Sequence, residues 1–84
     1  MRDKMNMKVD FIMSLATLPE GVPARIEAVE ALDADLARLE VMGLCAGRTV
    51  EVVQAGDPMI VRVLGTRIGL AAVLARSIRV QTAY

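Results

Sequence analysis

The middle of the chain contains two short runs in which apolar and polar residues alternate. Thr49–Gln54 and Met59–Leu64 are rich in β-branched residues, and Ala55–Pro58 between them has the composition of a turn. This pattern predicts a β-hairpin whose loop is Ala55–Pro58. In that register Glu51 faces Arg62, which places opposite charges across the two strands.

The same register sets the apolar face of the hairpin and leads to a third strand. The expected opposite pairs are Val50 with Val63, Val52 with Val61, and Gln54 with Met59. After the second strand, Gly65-Thr66 predicts a two-residue turn with glycine first, as a type II′ turn requires, so Val63 would face Ile68.

Two further strands and a short helical turn flank these elements. Ala24–Val29 and Ser77–Thr82 alternate like half-buried strands, and the apolar stretch Leu70–Ala75 fits one helical turn. Five short strands, with one helix after the first, predict a small sheet that curls on itself. Residues 1–13 lack such periodicity, and we expect a loosely ordered extension before a domain spanning residues 14–84.

The helix is predicted from Leu32, Leu36, Leu39 and Met42, apolar residues at spacings of four, three and three. We expect Leu36, Leu39 and Met42 to be buried. Asp33 is the expected N-cap. Gly43 follows the last apolar position and is expected to end the helix in the left-handed conformation.

Composition limits what such a domain can do. The chain has 84 residues and a mass of 9.1 kDa, which allows one small core. Histidine is absent and Cys45 is the only cysteine, which excludes a His-based triad and an intramolecular disulfide. A small domain without disulfides fits a reducing compartment. The longest uncharged apolar run, Ile68–Ala75, is too short to span a bilayer.

No group of side chains points to catalysis. Cys45 has apolar neighbours and no nearby His or Lys to activate its thiol, so a structural role is favoured. The remaining candidates are metal ligands: the carboxylates Asp33, Asp35 and Glu40 for a hard cation, and the thioethers of Met5 and Met7 for a soft one. We expect no enzyme activity, no cofactor and at most weak binding of a divalent metal.

The charges divide unevenly along the chain. Residues 1–57 contain all ten acidic residues, whereas residues 58–84 contain four arginines and no acid. The arginines could form a basic face for an anionic partner, or the two halves could pack together and neutralise each other across strands. The second interpretation is favoured, and no nucleic-acid binding is expected, because no aromatic residue lies between the arginines to stack on bases.

An ordered set of short motifs resembles the FeoA family. The resemblance covers roughly residues 14–82 and rests on order and spacing, since each motif is a turn signal beside a strand. The motifs are Leu18-Pro-Glu-Gly21, Ala24-Arg-Ile26, Leu39-Glu-Val-Met-Gly43-Leu44, Gly47-Arg-Thr-Val-Glu-Val52, Gly56-Asp-Pro-Met-Ile-Val61, Gly65-Thr-Arg-Ile-Gly-Leu70 and Ala75-Arg-Ser-Ile-Arg-Val80.

The resemblance implies a fold and a role. The fold would be mainly β: an SH3-like, five-stranded β-barrel with one short α-helix between the first two strands. The role would be that of a small cytoplasmic accessory protein of bacterial ferrous iron uptake. It would act as an interaction module on FeoB, the membrane transporter with a cytoplasmic GTP-binding domain, without inserting into the membrane itself. The alternative is a metal-responsive regulatory module like the C-terminal domain of DtxR-type repressors.

The same resemblance implies partner binding at two segments. The first is the helix–turn segment with Leu39, Gly43, Leu44 and Gly47, and the second is the turn of Gly56, Asp57 and Pro58. Two interpretations of Leu44 are open. It is either a partly exposed anchor for the partner or a plug that closes the end of the barrel.

Overall fold

The computed structural model describes residues 11–82, which form six strands, two α-helices and one 3-10 helix. In chain order these are β1 (Phe11–Ser14), η1 (Leu15–Thr17), β2 (Ala24–Val29), α1 (Asp33–Val41), β3 (Thr49–Gln54), β4 (Met59–Val63), β5 (Thr66–Leu70), α2 (Ala72–Ala75) and β6 (Ile78–Thr82). Neither α-helix of this part of the chain is long and apolar enough to cross a membrane.

All six strands join one antiparallel sheet in the order β1-β6-β2-β3-β4-β5. Alternate residues of the strands face the core, as Val50 and Val52 do in β3 and Val61 does in β4. Leu70 from β5 and Leu15 beside β1, at opposite ends of the strand order, belong to the same buried cluster. The sheet therefore curls around a single aliphatic core.

The β3–β4 hairpin confirms the predicted register over most of its length. The observed opposite pairs are Val50 with Val63, Glu51 with Arg62, and Val52 with Val61. The charged pair forms a salt bridge in which Arg62 Nη1 lies 3.2 Å from Glu51 Oε1. The alternation of valines on one face and the complementary charges on the other specify this register together.

Next to the loop, the register departs from the prediction. Gln54 faces Ile60 and not Met59, because the pairing shifts between Val52 and Gln54. A β-bulge places two residues of one strand opposite one residue of the other. The prediction assumed strict alternation and was wrong at this end of the hairpin.

The turn between β4 and β5 also differs from the prediction. Leu64 and Gly65 form it, so Val63 faces Thr66, and Ile68 faces Val61. Leu64 and Gly65 have φ angles of 53° and 74°. Positive φ at both central residues is the requirement of a type I′ turn. The predicted Gly65-Thr66 turn was wrong by one residue, because leucine is rare in the left-handed region and its sequence carries no signal for it.

The sheet has one strand more than predicted. β1 pairs with β6 through Phe11–Ser14, and α1 consequently lies between the second and third strands. Of the predicted extension, residues 11–13 belong to β1. Residues 1–10 lie outside the described residues, together with the two methionines considered as soft-metal ligands.

Helix α1 is confirmed, but two details of its prediction were wrong. Its N-cap is Leu32, whose side chain makes no capping bond, and Asp33 is the first helical residue. Only Leu39 is fully buried, whereas Leu36 and Met42 are half-buried. The helix rests on the barrel through one turn near its C-terminal end, so its apolar stripe is only partly covered.

Candidate interaction surface

The C-terminal end of α1 is a Schellman motif. The Gly43 N–H donates to the Glu40 carbonyl at 3.0 Å, and the Leu44 N–H donates to the Leu39 carbonyl at 2.9 Å. Gly43 has a φ of 88°, as the left-handed residue of this motif requires. Leu39 and Leu44 are both fully buried, as expected for the apolar contact that accompanies the motif. Three of the candidate residues therefore end the helix and fasten it to the core.

Leu44 is the plug and not the exposed anchor. Its exposed fraction is 0%. A side chain without any accessible surface cannot contact a partner unless the barrel opens. Leu44 therefore supports the surface above it from inside the domain.

Gly47 and the second candidate segment also have structural contacts. The Gly47 N–H donates to the Ile26 carbonyl at 2.8 Å, which joins the chain after α1 to β2. In the β3–β4 turn, Asp57 Oδ1 accepts a hydrogen bond from the Ala72 N–H at 3.0 Å. Pro58 follows through a cis peptide bond and is exposed, as is Gly56.

The structure does not bring the two candidate segments together. A Cβ atom at Gly43 would lie 4.0 Å from Val63 Cγ2, so the helix end adjoins the last residue of β4. The Gly56–Pro58 turn precedes the first residue of the same strand. A strand of this length spans about 17 Å. The two segments lie at opposite ends of β4 and form separate surfaces.

The exposed apolar group at the helix end is Leu64, which sequence reasoning missed. Leu64 is 64% exposed and has a left-handed backbone, a conformation that costs a leucine about 1–2 kcal/mol. Its Cδ1 atom lies 3.0 Å from the position that a Cβ of Gly43 would occupy. Because Gly43 has no Cβ atom, the Leu64 side chain has space to lie against the helix end.

Val41, in the last turn of α1, is 88% exposed and lies two residues from the buried Leu39, on the side of the helix that faces away from the core. We call Met42, Gly43 and Leu64 the helix-end surface. Residues held in such unfavourable backbone conformations cluster at functional sites. In the sequence, the alternation that buries Val61 and Val63 puts Leu64 on the outer face with Arg62, but nothing there marks it as a turn residue.

The uneven charges are neutralised in part. Arg62 pairs with Glu51, and Arg79 pairs with Glu30 at 3.2 Å, so two of the four C-terminal arginines bind acids of the other half. Arg67 has no acidic partner among residues 11–82. Across the same residues, no three Cys, Asp or Glu side chains converge to hold a metal ion.

Comparison with known proteins identifies the domain. The family model of the FeoA domain matches residues 13–82. FeoA of Stenotrophomonas maltophilia, solved with zinc and described as an SH3 domain protein, is 33% identical with a TM-score of 0.74. That match covers 81% of this chain and 88% of the other. No match was found among curated protein sequences.

Two longer proteins contain the same fold. Iron(II) transport protein A from Clostridium thermocellum is 33% identical over 83% of this chain and 45% of its own, with a TM-score of 0.80. IdeR of T. acidophilum is 26% identical over 87% of this chain and 34% of its own, with a TM-score of 0.78. These matches confirm the expected SH3-like fold. The chain therefore belongs to the FeoA family, whose domain is a non-enzymatic accessory and regulatory module linked to ferrous iron transport.

Proposed function

We propose that this protein is a cytoplasmic accessory protein of ferrous iron uptake that binds the FeoB transporter through the helix-end surface. The observation that carries the proposal is Leu64, an exposed leucine in the left-handed conformation beside Gly43. The Schellman motif fixes the position of the helix end, so little conformational freedom is lost when a partner covers it. An exposed apolar side chain beside such a fixed backbone is a suitable binding anchor.

The experiment is a pull-down from iron-starved cells with the tagged full chain and two matched variants. Leu64→Asn removes the apolar side chain, and the domain stays folded because asparagine adopts the left-handed turn conformation readily. Val73→Asn is the control, since Val73 is 65% exposed and lies next to Ala72, which the Gly56–Pro58 turn contacts through Asp57.

The wild type and Val73→Asn should recover FeoB, whereas Leu64→Asn should bind it at least about tenfold more weakly. If only Val73→Asn fails to recover FeoB, the binding site lies at the other end of β4, beside the Gly56–Pro58 turn. Normal recovery by both variants would refute a role for the helix-end surface. Recovery of only DNA or a repressor by the wild type would support the regulatory alternative instead.

A further inference from the structure

Strand β5 is an open edge of the sheet. It is the last strand in the order and pairs only with β4, through all five residues from Thr66 to Leu70. In a two-residue hairpin, the pair next to the turn is hydrogen-bonded, and such pairs alternate along the strands. Thr66, Ile68 and Leu70 therefore bond to β4, and the backbone groups of Arg67 and Gly69 point away from it.

Two of the features that protect natural edge strands, proline and a β-bulge, are absent from β5, which carries one charged residue, Arg67. It contains no proline, and its pairing with β4 is continuous, without a bulge. No backbone hydrogen bond joins Thr66–Leu70 to any loop or turn of residues 11–82. Two N–H and two C=O groups, those of Arg67 and Gly69, are thus available to pair with an additional strand.

The edge is also positively charged. Arg67 faces Arg62 across β4 and β5, but Glu51 already neutralises Arg62. Arg67 itself has no acidic partner among the described residues, and no acid occurs anywhere in residues 58–84. A strand added at this edge would lie within reach of the Arg67 guanidinium, which favours a carboxylate on the incoming segment.

We propose that the edge of β5 binds an extended, acidic segment of a partner protein as a seventh strand of the sheet. Backbone hydrogen bonds to Arg67 and Gly69 give affinity, and a carboxylate paired with Arg67 selects acidic sequences. A second copy of this chain is a poorer occupant, because its β5 edge adds a second Arg67 and contains no acid to pair with the first. The inference rests on the proposed function only in taking the partner to be the protein that also contacts Leu64, because β5 begins two residues after Leu64.

The test uses random peptides displayed on phage and selected on the purified full chain. Gly69→Pro removes an outward N–H and fixes the backbone φ angle, whereas Gly69→Ala keeps the N–H. The added Cβ fits in both variants, because its nearest neighbour is Ile60 Cδ1 at 3.9 Å. Arg67→Glu reverses the charge. Circular dichroism first checks that all three variants melt like the wild type.

Selected peptides should be rich in Asp and Glu among β-branched residues. They should bind the wild type and Gly69→Ala equally, and Gly69→Pro and Arg67→Glu about tenfold more weakly or worse. If no acidic peptide is enriched, or if the enriched peptides bind Gly69→Pro as well as the wild type, the inference is wrong. It is also wrong if the chain forms a dimer that Gly69→Pro dissociates. None of these results bears on the effect of Leu64→Asn on FeoB binding, which tests the proposed function separately.

Discussion

Replacing Gly43 by alanine should destabilise the domain through the backbone. Gly43 has a φ of 88°, and the left-handed conformation costs an alanine about 1–2 kcal/mol. Alanine also restricts the unfolded chain, which offsets about 0.4–1 kcal/mol of that cost. The new Cβ would lie 3.0 Å from Leu64 Cδ1, the end of a flexible and exposed side chain that can rotate away cheaply. The expected net loss is about 1 kcal/mol.

Gly47→Ala is the matched control. Gly47 has a φ of 94°, and a Cβ there meets no atom within 4 Å, so this variant reports the cost of the backbone conformation alone. Urea unfolding followed by circular dichroism should give free energies of unfolding for the two variants that agree within about 0.5 kcal/mol. Each variant should lower Tm by about 4–8 °C.

Two results would contradict this reasoning. A Gly43→Ala variant as stable as the wild type would show that the helix end does not need a left-handed glycine. A loss far above that of Gly47→Ala would show that Leu64 is held rigidly in place. In that case, adding Leu64→Ala to Gly43→Ala should restore most of the excess, because it removes the atoms that clash with the new Cβ.

Three other predictions follow from burial and charge. Leu44→Asp should leave the chain unfolded at 25 °C by circular dichroism, because a lone buried carboxylate costs several kcal/mol, whereas Val41→Asp, at an 88% exposed position, should fold normally. Glu51→Gln should cost less than about 1 kcal/mol, and the cost should shrink in high salt, since the side chains of the Glu51–Arg62 pair are 35% and 39% exposed. Anaerobic calorimetry with ferrous iron should show no one-to-one site of micromolar or tighter affinity; such an isotherm would favour the metal-responsive alternative.

The hairpin of β3 and β4 could be predicted because its two faces carry independent signals that agree. Val52 opposite Val61 buries one face, and Glu51 opposite Arg62 pairs charges on the other. A slip by one residue would have destroyed both patterns at once. The bulge beyond Val52 could not be predicted, because it depends on how the strand bends around the core, and no residue type in the sequence signals it.

The candidate surface was harder to predict than the fold. Both interpretations of Leu44 require an apolar residue after a glycine, so only the folded barrel distinguishes a plug from an anchor. Leu64 was missed for another reason: the predicted strand ran to Leu64 and the predicted turn began at Gly65, whereas Leu64 is itself a turn residue in the left-handed conformation. β1 escaped prediction because Phe11–Ser14 is short and does not alternate.

Hydrogen–deuterium exchange of the full chain, with and without purified FeoB, tests the central claim most directly. FeoB should slow exchange at residues 41–44 and 63–66, which contain the helix-end surface and its turn, and leave the Gly56–Pro58 turn unchanged. Protection confined to the Gly56–Pro58 turn, or no protection at saturating FeoB, would contradict the account.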